Sequence, residues 1–132
     1  MVTALETPLF DGLSRRERTI AERVGTTAVL LDGREVATQG DPGRQFGVVL
    51  SGEMRVVRDG VEVSRLRKGD IFGEISLLAG PRARQTATVE AMGTTEVLVL
   101  SRTEFHELCD LIPSFAARVH LIGLRRLARS AA

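Results

Sequence analysis

Short hydrophobic runs rich in β-branched residues alternate with glycine and aspartate through the middle of the chain. Runs of this kind are typical of β-strands. They occupy positions 27–31, 35–39, 46–50, 54–58, 61–66, 71–72, 86–91 and 96–100. The breaks between them include Asp32-Gly33, Gly40-Asp41-Pro42-Gly43, Ser51-Gly52, Asp59-Gly60, Lys68-Gly69-Asp70 and Met92-Gly93-Thr94. Asp-Gly predicts a hairpin, because glycine accepts the positive φ of tight primed turns. Many short strands with regular punctuation predict a sandwich or barrel.

Helical patterns stand on both sides of this β region. Positions 8–24 are helix-like in their second half, where Ser14 can cap a helix that has Glu17 three residues later. Ser101 or Thr103 predicts the cap of a second helix. Pro113 predicts the first residue of a last helix, because proline is tolerated there. We therefore expect one domain over 1–132, with a β region over 25–101 between helical parts at 8–24 and 102–129.

The bulk properties exclude several classes of protein. A formal net charge of +1 provides no global field for nucleic acid or a membrane. The lone Cys109 allows no intramolecular disulfide, which is typical of a reducing compartment. The sequence shows no signal peptide and no run of apolar residues long enough to span a membrane. These features favour a cytoplasmic protein.

The segments 72–78 and 81–89 together have the pattern of a small anion-binding site. A glycine ends a strand and a short helical turn opens on Glu74, while the second segment carries two arginines and two threonines. Backbone N–H groups at a helix start attract anions, and an arginine fork suits phosphate oxygens. A glutamate would repel phosphate alone, but it suits a ligand that also presents a hydroxyl. Phosphate and ribose in one loop indicate a nucleotide.

These residues resemble the phosphate-binding cassette of cyclic-nucleotide-binding domains, the family of the bacterial catabolite activator and the protein kinase A regulatory subunit. The cassette match is Phe72-Gly73-Glu74-Ile75-Ser76-Leu77-Leu78, then Pro81-Arg82 and Thr86-Ala87-Thr88-Val89. Positions 8–14 are similar to the family's entry helix, and 39–57 are similar to its glycine-punctuated strands. The resemblance implies a mainly β fold with flanking helices (α+β). Its core would be an eight-stranded antiparallel jelly-roll-like barrel.

The resemblance also implies a set of ligand-binding residues. They are Phe72, Gly73, Glu74, Ile75, Ser76, Arg82, Arg84, Gln85, Thr86 and Ala87. Glu74 would accept a hydrogen bond from the ribose 2′-OH, and Ile75 and Ser76 would offer backbone N–H groups to the phosphate. Thr86 would donate to the phosphate or to a guanine edge, while Thr88 is expected to face elsewhere.

The phosphate arginine is where this chain departs from the family pattern. Counting back from Val89 places Gln85 at the arginine position, with Arg84 one residue away and Arg82 three away. The spacing from Glu74 to Val89 is also longer than the family's. An insertion after the arginine would make Arg84 the phosphate ligand, whereas an insertion before it would leave the neutral Gln85 there. Arg84, Arg82 and no arginine all stay open.

Other parts of the chain would complete the site. The shelf for the base would come from Val56, Val57, Leu66 or Ile71, and a lid from Leu121, Leu124, Arg125 or Arg126 of the last helix.

His106, Cys109 and His120 lack metal-site spacing, so we expect no metal, no other cofactor and no catalysis.

We expect a regulatory domain whose ligand is cAMP more than cGMP, and which rearranges its cassette and last helix on binding. The partner would be an effector domain or protein on the last helix, where Arg118, Arg125, Arg126 and Arg129 lie, or a second copy in a homodimer. No helix-turn-helix follows that helix in the sequence, so we expect no base reading by this chain alone. The alternative is a degenerate domain that binds no ligand and acts as a scaffold, and a cyclic-nucleotide hydrolase is a third hypothesis.

Overall fold

Both capped helices predicted from the sequence are present in the computed structural model, which describes residues 8–73, 80 and 82–131. Helix α1 spans Arg15–Arg23, α2 spans Arg102–Leu111 and α3 spans Pro113–Ala131, and a 3-10 helix covers Pro8–Phe10. The caps are reciprocal. Ser14 Oγ accepts from the Glu17 N–H at 3.1 Å, and Glu17 Oε1 accepts from the Ser14 N–H at 2.9 Å.

Ser101, not Thr103, caps helix α2. Its hydroxyl accepts from the Glu104 N–H at 3.1 Å, and Glu104 Oε1 accepts from the Ser101 N–H at 2.9 Å. The Gly25 N–H also donates to this carboxylate, at 3.3 Å. The hydrogen bond from Ser101 is the main cause that lowers the pKa of Glu104. This cap therefore fixes the β-to-helix junction most firmly when Glu104 is ionised.

All the strand pairs are antiparallel. The strands are β1 Thr26–Leu30, β2 Glu35–Ala37, β3 Gln45–Arg58, β4 Val61–Leu66, β5 Ile71–Phe72 and β6 Thr88–Ser101. They form one sheet in the order β1-β6-β3-β4, in which β2 pairs with β6 and β5 pairs with β3. The predicted class, antiparallel β with flanking helices, is confirmed.

The eight predicted runs become six strands in the described part of the chain, because two predicted turns are bends inside long strands. Strand β3 continues through Ser51-Gly52, and β6 continues through Met92-Gly93-Thr94. Gly52 and Gly93 have φ of 84° and 68°, and the β3–β6 register shifts on both sides of Ser51. A glycine in this conformation allows a bulge that bends a strand without ending it.

The two Asp-Gly dipeptides form different kinds of turn, and only one of them is a hairpin. Asp59-Gly60 joins β3 to β4, with φ of 53° and 79°, and so confirms the predicted hairpin. Asp32-Gly33 is a turn but not a hairpin, because β1 and β2 both pair with β6. The Gly93 N–H donates to Asp32 Oδ1 at 2.7 Å, so the aspartate ties its turn to the bend in β6.

Strand β3 divides the core into two clusters because its side chains alternate between faces. The helix-facing cluster contains Leu9, Phe10, Ala21, Phe46, Val48, Leu50, Ile71, Leu98, Leu100, Phe105, Leu108, Ile112, Phe115 and Val119. The inner cluster contains Leu30, Ala37, Val49, Met54, Leu66, Phe72, Val89, Ala91 and Val97. Ring centroids 4.9–6.1 Å apart connect Phe46, Phe105 and Phe115 in the first cluster. The helices are thus anchored on the face of β3 opposite to Phe72.

Candidate functional site

Phe72, the first residue of the predicted cassette, is fixed by a glycine on the neighbouring strand. Strand β5 pairs with β3 so that Phe72 lies opposite Gly47. A Cβ atom at position 47 would lie 1.9 Å from the Phe72 Cζ. The ring therefore occupies the space that a side chain at 47 would need, and it is 2% exposed within the inner cluster.

Gly73 follows in a conformation that favours glycine. Its φ is 85°, and a Cβ there would lie 2.1 Å from the Gln45 carbonyl oxygen. The chain thus leaves β5 in close contact with the start of β3. The next five predicted residues, Glu74, Ile75, Ser76, Leu77 and Leu78, lie outside the described residues.

The second half of the cassette pairs with the glycine-rich segment 39–45, here called the glycine loop. The Gln85 N–H donates to the Asp41 carbonyl at 2.7 Å, and the Gly40 N–H donates to the Gln85 carbonyl at 2.9 Å. Arg84 forms an isolated antiparallel bridge with Pro42. This pairing holds the part of the cassette around Arg84 and Gln85 against the glycine loop.

The two candidate arginines are both exposed. Arg84 Nη1 donates to the Gly40 carbonyl at 3.1 Å, so its guanidinium lies along the glycine loop. Gln85 is half-buried and lines a cavity. Of these two alternatives from the sequence, Gln85 lines the cavity and Arg84 is not among its described lining residues.

The following residues turn into β6. Thr86 is exposed, and its carbonyl accepts from Arg58 Nε at 3.2 Å. Ala87 is buried. Thr88 Oγ1 accepts from the Gln39 N–H at 3.0 Å, so this hydroxyl holds the glycine loop.

The cavity that Gln85 lines has a volume of about 460 Å³. Its other described lining residues come from β2, the residue that follows it, and the glycine loop: Glu35, Val36, Ala37, Thr38, Asp41, Pro42, Arg44 and Gln45. Gln45 connects the cavity to Gly73, whose backbone abuts the Gln45 carbonyl. Gly73 therefore lies against a residue of the cavity wall, and Gln85 is part of that wall.

The sequence reading missed the β2 and glycine-loop residues. It interpreted Gly40-Asp41-Pro42-Gly43 as a break between strands and as part of the resemblance over 39–57, without a role in binding. The signal it could have used is the clustering of charge, because Asp41 and Arg44 flank the two loop residues Pro42 and Gly43. Charged side chains in a glycine-rich connection are often functional.

The described cavity wall carries charges of both signs. Glu35 and Asp41 contribute carboxylates and Arg44 a guanidinium. Thr38 Oγ1 donates to Glu35 Oε1 at 3.1 Å, which orients that carboxylate. The wall could thus accept hydrogen bonds from hydroxyl or amino groups and donate to an anion.

The proposed shelf and lid residues lie in different places. Leu66 belongs to the inner cluster and Val56 packs against it. Ile71 belongs to the helix-facing cluster, so it cannot be part of a shelf on the inner cluster. Leu121 and Leu124 on α3 are 48% and 53% exposed. Arg118 does not lie free on that helix, because its Nη1 donates to the Leu9 carbonyl at 3.1 Å.

No group of three or more His, Cys, Asp or Glu that could hold a metal occurs among the described residues. None of the described helices combines the length and apolarity that crossing a bilayer requires.

Cys109 is expected to react slowly with alkylating reagents. Burial raises the pKa of its thiol to about 11, and the Asp110 charge adds to this effect. Because the thiolate is the reactive form, iodoacetamide at pH 8 should modify it about 100-fold more slowly than a small-peptide cysteine with a pKa of about 8.5. Mass spectrometry of the time course measures the rate, and protein unfolded in urea provides the control. Equal rates in folded and unfolded protein would contradict a buried thiol.

The family model described as the cyclic nucleotide-binding domain matches residues 28–111. The chain belongs to this family. The domain is 38% identical over 96 residues to a cAMP-dependent protein kinase regulatory subunit of Dictyostelium discoideum, covering 66% of this chain and 28% of that protein. It is 32% identical over 125 residues to the cyclic AMP receptor protein of Thermus thermophilus, covering 91% of this chain and 57% of that protein.

The fold comparison agrees with the family. The crystal structure of the Thermus thermophilus catabolite activator protein superposes with a TM-score of 0.81 at 31% identity, over 95% of this chain and 60% of that chain. The domain therefore spans between about a quarter and three fifths of the length of these relatives.

Proposed function

We propose that the domain binds a cyclic nucleotide, cAMP in preference to cGMP, and acts as a regulatory sensor without catalytic activity of its own. The observation that carries this proposal is the position of the described cassette residues next to one cavity. Gly73 abuts Gln45, and Gln45 and Gln85 line the same space. Family membership supports the nature of the ligand, and both relatives named above carry cAMP in their names.

The roles of the cassette residues are part of the proposal. Glu74 accepts a hydrogen bond from the ribose 2′-OH, and the N–H groups of Ile75 and Ser76 face the phosphate. The inner cluster supplies the apolar shelf for the base, to which Val56 and Leu66 contribute. Phe72 and Gly73 hold the start of the cassette against β3.

Signalling would occur through a population shift toward a state that the ligand binds more tightly. The glycine loop contacts the helices directly, because the Arg102 N–H donates to the Arg44 carbonyl at 3.1 Å. Helix α2 then contacts α3 through Phe105 and Phe115. Ligand contacts on the glycine loop and cassette would thereby bias the position of α3. We propose that α3 contacts an effector or a second copy in a cytoplasmic protein, since Leu121 and Leu124 are exposed on it.

The second candidate function is a scaffold that no longer binds ligand. The observation that favours it is Gln85, which stands at the family's arginine position and lines the cavity with a neutral amide. The two functions differ in a direct binding measurement.

Isothermal titration with cAMP, and with cGMP in parallel, tests the proposed function. We expect a micromolar or lower Kd for cAMP and a weaker one for cGMP. Glu74→Ala should raise the Kd for cAMP at least about tenfold, because it removes a hydrogen bond to a charged acceptor worth roughly 1.5–3 kcal/mol. Glu22→Ala, on the exposed side of α1, is the matched control and should bind like the wild type. A folded wild-type protein that gives no heat at millimolar cAMP or cGMP would favour the scaffold.

A further inference from the structure

Arg44 is the only cationic side chain among the described residues that line the cavity. It lies in the glycine loop between β2 and β3, outside the cassette that the sequence singles out. Beside it, the described wall contributes the carboxylates of Glu35 and Asp41 and the neutral amides of Gln45 and Gln85. An anion in this cavity would therefore meet repulsion from two carboxylates unless Arg44 offsets it.

Hydrogen bonds from Arg102, the first residue of helix α2, fix the backbone around Arg44. The Arg44 carbonyl accepts from the Arg102 N–H at 3.1 Å, and Arg102 Nη2 donates to the Gly43 carbonyl at 2.5 Å. No hydrogen bond or ion pair involves the Arg44 guanidinium in the described structure. A fixed backbone with a guanidinium that forms no hydrogen bond or ion pair with another described residue suits the binding of a ligand oxygen.

The cassette arginines lie differently. Gln85 lines the cavity, whereas its neighbour Arg84 is not among the described lining residues and forms an isolated bridge with Pro42. The Arg84 guanidinium donates to the Gly40 carbonyl. Arg82 is exposed and does not line the cavity.

We propose that Arg44 binds the phosphate of the ligand, with the Gln85 amide as a second donor, in place of an arginine from the cassette. This inference rests on the proposed function and assigns the charged contact within that site. It places the charged contact on the glycine loop and a neutral donor on the cassette, with the cavity between them.

Titration of cAMP into Arg44→Gln, Arg44→Lys, Arg84→Gln and Arg16→Gln tests the assignment, with circular dichroism to show that each variant is folded. We expect Arg44→Gln to raise the Kd at least about tenfold, because a charged hydrogen bond is lost. Arg44→Lys should recover part of the affinity. Arg16→Gln changes an exposed arginine on α1 and should bind like the wild type, and Arg84→Gln should raise the Kd less than Arg44→Gln does.

The salt dependence of the Kd distinguishes a phosphate contact from a structural role. Raising the salt concentration should weaken binding by the wild type and Arg44→Lys more than binding by Arg44→Gln, because only the first two place a cation at the phosphate. Wild-type affinity in Arg44→Gln, an unchanged salt dependence in that variant, or a larger loss in Arg84→Gln would overturn the assignment. Absence of cAMP and cGMP binding by the folded wild type would overturn the proposed function itself, and this assignment with it.

Discussion

Gly47→Ala is expected to lower the free energy of unfolding by about 3 kcal/mol or more, although alanine is compatible with the backbone at this position. The new Cβ would lie 1.9 Å from the Phe72 Cζ, and all three of its nearest contacts are atoms of that ring. Either Phe72 leaves the inner cluster or β5 separates from β3. Chemical denaturation of the wild type and the variant measures the change.

Two further variants identify the cause. In a Phe72→Ala background, Gly47→Ala should cost less than about 1 kcal/mol, since the ring that it meets has been removed. Gly60→Ala places a Cβ that meets no described atom within 4 Å, but at a φ of 79°. It should cost about 1–2 kcal/mol from backbone strain alone. Equal costs for Gly47→Ala with and without Phe72 would show that the steric explanation is wrong.

The sequence predicts best those features that depend on neighbouring residues. Both capping boxes join residues three positions apart, and the Asp59-Gly60 hairpin depends on two adjacent residues. The bends at Gly52 and Gly93 were wrongly predicted as turns, because a glycine with positive φ serves a turn or a bulge equally well. What decides between them is pairing with a distant strand, which no local pattern contains.

The residues of the candidate site also divide into those that a local pattern reveals and those that only distant pairing brings together. The cassette residues form a continuous motif and could be singled out from the sequence. The cavity wall could not, because Glu35 and Arg44 meet Gln85 only through antiparallel pairing across some forty residues or more of chain. The sequence likewise could not show that Gln85 lines the cavity while Arg84 bridges Pro42, because both depend on pairing with the glycine loop.

Gly73→Ala is expected to abolish or strongly weaken cAMP binding, with at least about a hundredfold rise in Kd. A left-handed φ of 85° costs a side chain about 1–2 kcal/mol. The Cβ would also lie 2.1 Å from the Gln45 carbonyl oxygen, a backbone atom that cannot rotate away as a side chain can. The chain must then shift at the junction between β5 and the rest of the cassette, which moves Glu74 relative to the cavity. Isothermal titration with cAMP measures the loss.

Gly80→Ala is the matched control, because it separates backbone strain from the contact with Gln45. Gly80 lies in the same cassette with a φ of 108°, yet its added Cβ meets no described atom within 4 Å. It should therefore carry a comparable strain without displacing β3, and its Kd should stay within about tenfold of the wild type. If both variants lose affinity equally, strain in the cassette would be the cause and the Gly73–Gln45 contact would have no specific role. If only Gly73→Ala loses affinity, the close approach of the two backbones is what positions the cassette beside the cavity.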